Sequence, residues 1–479
     1  MKWNRWRGGV HPAGRKEESS AQPIRRLPLP ELLFIPLQQH VGEMAMPVVG
    51  VGQRVLKGQL LAAGQGNISA PLHAPTSGLV RALGEYPAPH PSGLPLPTLV
   101  LEVDGDDRWV DLEVAADPFA LAPEDVCRRV GEAGIVGLGG ATFPSAVKLE
   151  LSLRRGIDTL VINGGECEPY LTSDDLLMRE RAAEVITGAR LIRHAVQARQ
   201  VLLGVEDNKP EALAALRLAA LGTEVEVQSV PSRYPMGSDK QLVKWLTGRE
   251  IPAGGRAADA GVLVHNVATA YSVARALGHG QPLVSRIVTL AGGAMAHPGN
   301  WEVPFGTLIS RLVEGAGGYL QTPARLVMGG PMMGMQLPRA DVPVVKGCSG
   351  VLALSAAEVA ERAPEPCVRC ANCVRGCPQG LMPLEMAAYI RNGDLKGAQA
   401  LGLKDCIGCG ACSYICPSNI PLTHYFNYAR NELATMARQQ RKLDATRRLA
   451  EQREARFARE QARLAARRAA AMAQTEKSQ

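Results

Sequence analysis

Eight of the eleven cysteines fall into two copies of one pattern. Cys367, Cys370, Cys373 and Cys377 are followed by Pro378, and Cys406, Cys409, Cys412 and Cys416 by Pro417. Both runs read C-x2-C-x2-C-x3-C-P, a spacing that suits [4Fe–4S] clusters. A cubane cluster needs four thiolates around a compact cage. Three cysteines at steps of three let one tight loop wrap three corners, and the fourth must come from elsewhere. The proline after it stops regular helix. In a doubled run the fourth cysteine ligates the other cluster. The expected sets are therefore Cys367, Cys370, Cys373 and Cys416, and Cys406, Cys409, Cys412 and Cys377. Two zinc knuckles are the alternative. Structural zinc prefers paired hooks and often histidine, and no histidine lies inside either quartet. A disulfide framework fits less well still, because the cysteines crowd one short stretch of a long chain. A reducing compartment and one-electron transfer are expected.

Two further segments have the composition of ligand loops. Residues 134–148 read GIVGLGGATFPSAVK. Glycines let backbone N–H groups approach a phosphate, and a following helix N-terminus favours the anion. Lys148, one or two turns later, could pair with it. Alone, a glycine-rich structural turn is an equal reading. Residues 161–169, VINGGECEP, place a polar loop after an apolar strand, where open α/β sheets bind ligands. Alone, Glu166 and Glu168 read more readily as solvated carboxylates. Cys127, Cys167 and Cys348 lie outside the quartets and read as buried thiols. The two glutamates flanking Cys167 should raise its pKa.

These sites need several domains to hold them. A chain of 479 residues should carry about three or four. Its 46% apolar content allows sizeable cores. No run of 18 or more apolar residues predicts a membrane span, and the first nine residues lack a signal-peptide apolar region. The expected location is cytoplasmic, free or bound to a membrane from that side. Residues 431–479 hold twelve Lys/Arg against six Asp/Glu, which accounts for six of the seven net positive charges. The body is nearly neutral, so no nucleic-acid role is expected.

Residues 1–30, rich in Arg, Pro and Gly, read as an arm. Trp3 and Trp6 beside Lys2, Arg5 and Arg7 could rest at a membrane interface, although a mobile or packed arm is the plainer reading. Short strands and glycine turns fill 31–105, and this stretch resembles a lipoyl-type barrel-sandwich hybrid. Its expected hairpin tip, Gly66-Asn67-Ile68-Ser69-Ala70, has no lysine to modify, which argues for a structural or docking role. Strand-like runs alternate with helical stretches over 118–281, predicting a βαβ-type parallel sheet. Short strands return over 283–345. Residues 360–430 hold the cysteines and read as mainly helical. The Ala/Arg-rich tail, 431–479, should be helical. Its basic excess could meet anionic lipid or an acidic partner, with a solvated helix as the plainer reading.

Taken together, the two loops resemble the FMN- and NADH-binding loops of the flavoprotein subunit of respiratory complex I. Gly137, Gly139, Gly140, Phe143, Pro144 and Lys148 match its glycine-rich segment. Asn163, Glu166, Glu168 and Pro169 match its acidic loop, and Tyr234-Pro235-Met236-Gly237 with His265-Asn266-Val267-Ala268-Thr269 match a third segment. The domain order, beginning with Gly8-Gly9-Val10-His11-Pro12, is similar to that of the C subunit of the bacterial Rnf (Rsx) ion-translocating electron transport complex. The implied fold is multidomain α/β. It comprises the lipoyl-like domain, a Rossmann-like α/β FMN domain, a small β-grasp (SLBB-like) module, a two-[4Fe–4S] ferredoxin-type domain and the helical tail.

By that resemblance Gly137, Gly139, Gly140 and Lys148 would cradle the FMN phosphate and ribityl chain. Asn163, Asn266 and Thr269 would hold the isoalloxazine side, and Glu166 and Glu168 would bond FMN or the nicotinamide nucleotide. Leu138 stands where the complex I loop has Arg, and Gly165 where it has an acidic residue, which supports FMN better than NADH. The implied function is electron input between NAD(H) and ferredoxin- or quinone-side carriers. Integral membrane and iron–sulfur partners would move the ion, with this chain peripheral on the cytoplasmic face of the bacterial inner membrane. The alternatives are a soluble flavin reductase, such as the cobalamin reductase of propanediol utilisation, and a non-catalytic iron–sulfur scaffold.

Overall fold

The computed structural model describes residues 7–90, 92–359 and 362–476, with side chains to 472. Trp3, Trp6, Lys2 and Arg5 lie outside the described residues, as do 360–361 at the expected start of the cysteine domain and 477–479 of the tail.

Four strands form a parallel sheet in the order Val225–Val230, Gln200–Glu206, Thr159–Gly164, Val262–Asn266. The two inner strands and the edge strand Val262–Asn266 are apolar because both faces are covered. Leu160 and Ile162 pack with Val185, Leu191 and Val273 on one side. Val161, Leu202 and Val264 pack with Leu242 and Val243 on the other. Val225–Val230 escaped the sequence reading, since its central residues are not buried. Helices Ala182–Val196 and Val267–His279 meet backbone to backbone at Gly188, where a Cβ would lie 1.8 Å from the Ala270 carbonyl oxygen. Thr159–Gly164 is first in sequence yet lies inside the sheet, so chain order reverses between it and Val262–Asn266. Crevices open outside the carboxyl ends of strands at such a reversal.

Ahead of this sheet lie two antiparallel sheets. One joins Leu32–Pro36, Pro95–Val103, Gly78–Pro87 and Arg54–Val55; the other joins Met46–Pro47, Leu60–Ala63 and Leu72–His73. Leu33, Ile35, Leu61, Leu72, Leu99 and Leu101 fill their shared core. The lysine-free tip is tied down, with Ser69 bonded to the Glu43 carbonyl and to His40.

A six-stranded mixed sheet follows, with helix Ile309–Gly315 beside it. It reaches beyond the expected 283–345 at both ends. Gly350–Leu354 is an internal strand, and Arg25–Arg26 from the N-terminal segment adds an edge beside Gly299–Pro304. The arm is therefore packed from Gly8 onward. Gly9 N donates to Gly376 O at 2.9 Å, Val10 exchanges two backbone bonds with Tyr234, and Gly14 O accepts from Tyr170 N at 2.7 Å.

The cysteine segment is built from short helices around Met386, Ile390, Leu403, Phe426 and Ala429. Its last helix, Leu422–Glu476, runs 55 residues without a break at 431. At about 1.5 Å per residue it spans about 80 Å. Leu443, Leu449, Phe457 and Leu464 are exposed along it. Among the described residues no helix is long and apolar enough to cross a membrane.

Candidate flavin and iron–sulfur sites

Asn163 and Asn266 end adjacent parallel strands and stand in register at the reversal point. The glycine-rich loop closes above them. Gly137 N donates to Phe143 O at 2.9 Å and Thr142 N to Gly137 O at 3.2 Å, and helix Ser145–Arg155 follows. Gly139 rests on Asn266, where a Cβ would lie 3.2 Å from the Asn266 Cβ. Gly140 takes φ +115°, a conformation suited to glycine. Leu138 N donates to Thr269 Oγ1 at 3.0 Å. Gly139, Asn266 and Thr269 are thus brought together, with the exposed Gly139–Gly140 backbone outermost. Lys148 turns the other way. Its ammonium donates to the Val264 carbonyl and, with Phe143, Asp239 and Arg256, lines a cavity of about 390 Å³. Burial lowers its pKa, and Asp239 opposes that.

The acidic loop is held from two sides. Asn163 Nδ2 donates to Gly237 O at 2.8 Å, and its Oδ1 accepts from Gly165 N at 2.9 Å. A Cβ on Gly237 would lie 2.1 Å from Gly165 O, so the 234–237 loop presses on this one. Glu166 is buried and committed to a helix N-terminus. It accepts from Asp174 N at 2.9 Å, Asp175 N at 3.3 Å and Ser173 Oγ at 3.2 Å, where the helix Ser173–Glu180 favours negative charge. Burial pushes its pKa up to about 7, and Lys16 pulls against that. Glu168 is less committed. Its Oε2 accepts from Met332 N at 3.0 Å, while Oε1 is buried without a hydrogen bond. Burial pushes this carboxyl up to about 7 as well. Tyr234 Oη, next to Glu168, donates to Cys409 O at 2.6 Å. The half-buried Cys167 thiol is raised chiefly by burial, then by Glu206, with Glu168 a smaller cause.

The two cysteine runs fold alike. Positions two and four after the leading cysteine have positive φ in each: Arg369 and Ala371 in the first, Gly408 and Gly410 in the second. Gly380 and Asn419, each three residues after a fourth cysteine, repeat the match. Arg and Ala adopt this conformation only where surrounding structure demands it. Cys377 crosses over. With Cys406, Cys409 and Cys412 it walls a small cavity of about 20 Å³, lined also by Pro378, Leu381 and Phe426. Cys373 in turn has Cys416 and Cys367 among its neighbours. Among the described residues no three such side chains converge on a single ion; these four thiols surround a space. Burial pushes Cys409 up to about 11 and Cys412 to about 12, so ligation must draw off those protons. Cys367 and Cys370 are exposed.

Residues 4–106 match the family described as RnfC barrel sandwich hybrid domain, and 130–275 the Nuo51 FMN-binding domain. Residues 287–336 match the SLBB domain and 366–420 the 4Fe-4S dicluster domain. The C subunit of the ion-translocating oxidoreductase complex of Rhodobacter capsulatus is 47% identical over 438 residues, covering 91% of this chain and 84% of that protein. The chain belongs to this RnfC family. The same-named protein of Haemophilus influenzae is 42% identical over 458 residues, covering 95% and 69%. An NAD⁺-reducing [NiFe]-hydrogenase chain aligns at TM-score 0.45 and 22% identity over 57% of this chain and 53% of its own, too loosely to carry an argument. As a member of the RnfC family the chain is an oxidoreductase subunit whose cofactors are FMN and [4Fe–4S] clusters.

Around these sites the RnfC-family chain uses residues that sequence reasoning missed. Asp174 accepts from Asn266 Nδ2 at 2.7 Å and fixes that amide. Buried Arg286 reaches from the six-stranded sheet to the Leu138 carbonyl of the glycine loop at 3.5 Å. Lys209 and Glu206 form a buried ion pair beneath the acidic loop. Lys16, from the arm, enters the acidic loop itself. The acidic pair 174–175 before an apolar run was a readable helix start; the other residues left no local signal.

Proposed function

We propose that this chain carries electrons between NAD(H) and the one-electron carriers of its complex. FMN would sit over Asn163 and Asn266, against Gly137, Gly139, Gly140 and Thr269. Lys148 and the cavity beside it would serve the nicotinamide nucleotide or the FMN phosphate. Glu168 offers an acceptor, and Glu166 shapes the loop. Bound there, FMN would split the two electrons of a hydride into single transfers.

One observation carries this reading: the Tyr234 hydroxyl binds the Cys409 backbone while the same tyrosine touches Glu168. The flavin loop and one cluster loop are thereby in direct contact. Lys240 and Gly254 N reinforce this by binding Asp405, next to Cys406, at 3.2 and 2.9 Å. Cys377, Cys406, Cys409 and Cys412 are accordingly the flavin-side centre. Cys367, Cys370, Cys373 and Cys416 are the outer centre, whose exposed thiols face a partner. Ion movement belongs to integral membrane subunits, with this chain peripheral on the cytoplasmic face of the inner membrane.

Anaerobic purification followed by iron, sulfide and flavin analysis tests the cofactor sites. The expected yield is about eight iron atoms and about one FMN per chain. NADH should then bleach the flavin and raise reduced-cluster EPR signals. Flavin and clusters that both stay oxidised under NADH would remove NAD(H) from the reading.

A further inference from the structure

We propose that Lys16 is a positioning residue of the flavin site, whose ammonium holds the 166–171 loop in the shape that presents Glu168 at the flavin–cluster junction. The inference rests on the flavin reading above and adds a residue from outside the flavin domain.

Lys16 Nζ donates to the carbonyl oxygens of Glu166 at 2.8 Å, Glu168 at 2.9 Å and Leu171 at 2.5 Å. An ammonium has three donors, and all three are spent on one loop. Three carbonyls converging on one point repel one another unless a cation sits between them. The loop has a second sign of constraint: Tyr170 takes φ +68°, and its N–H is held by Gly14 O, two residues before Lys16. Arm and loop are therefore fitted at two adjacent points. Burial lowers the Lys16 pKa, and Glu166 and Glu206 pull it back toward the ammonium while Lys209 opposes them.

The geometry reaches the redox path. Fixing the Glu168 carbonyl fixes the residue whose carboxylate meets Met332 N and Tyr234, and Tyr234 meets Cys409. The same arm binds Tyr234 through Val10 and Gly376 through Gly9. One segment of the arm thus sets the flavin loop against the flavin-side cluster fold.

The test uses the full chain with clusters assembled, comparing the parent with Lys16→Met and Lys16→Arg. FMN affinity is read by fluorescence quenching, the flavin potential by redox titration, and cluster content by iron analysis. Lys16→Met should weaken FMN binding at least tenfold and shift the flavin potential while iron content holds. Lys16→Arg, which keeps the charge, should recover part of the affinity. FMN affinity and potential within twofold of the parent in Lys16→Met would overturn the proposal. Joint loss of iron, flavin and folding in both variants would also overturn it, because the lysine would then support the fold at large. A parent that binds no FMN would instead overturn the flavin reading.

Discussion

Cys377 belongs by sequence to the first run and by position to the second. It lines the cavity of Cys406, Cys409 and Cys412, and Leu381 N points at its sulfur at 3.4 Å. A Cys377→Ala chain should therefore lose or convert the cluster of the second run and keep that of the first. EPR of the reduced protein, with iron counted per chain, checks this. Loss of the first cluster alone would refute the crossed ligand sets. The dicluster domain was legible because the cysteine spacing that marks it is local. Lys16 was not, because its partners lie 150 to 155 residues away and nothing in the arm's own composition announces them.

At the scale of elements, the helix Leu422–Glu476 joins two roles that the sequence reading separated at 431. Leu422, Phe426 and Ala429 are buried against the cysteine fold; Leu443 and Leu449 are 63% and 66% exposed. Uninterrupted helix-forming residues hid the junction, since propensity does not report what a helix packs against. Ending the chain after Leu433 should leave both clusters and the thermal midpoint nearly unchanged. Ending it after Pro421 should abolish cluster retention, as losing Phe426 alone is worth about 3–5 kcal/mol. Iron content of the two truncations decides this, and a cluster-free chain ending at 433 would show that the exposed part also holds the fold.

Across the whole molecule, three domains close on Lys346. Its ammonium donates to Pro71 O at 3.0 Å in the barrel-sandwich unit and Gly134 O at 2.6 Å at the glycine loop, and its N–H binds Gln39 at 3.1 Å. Burial pushes its pKa down to about 7 from 10.5. Between those values the unfolded chain holds the extra proton, so this lysine's contribution to stability rises as pH climbs from about 7 toward 10.5. Urea unfolding at about pH 7 and about pH 9 should show the parent gaining on the order of 2 kcal/mol relative to Lys346→Met. Equal pH slopes in the two chains would rule out a buried, titrating Lys346.

Short-range order along the chain was enough to specify the 4Fe-4S dicluster domain, the apolar strands of the parallel sheet and the loops at their ends. Each of these is written in local spacing or a short run of residue types. Tertiary packing settled that the arm is a strap, that Arg25–Arg26 extends a distant sheet, and that Tyr234 meets Cys409. It also turned Glu166 toward a helix N-terminus and Lys148 toward the Val264 carbonyl. These outcomes depend on which buried donors and acceptors find partners far away in the chain. Burial makes an unpaired polar group costly, and only the assembled fold shows where each pairing is made.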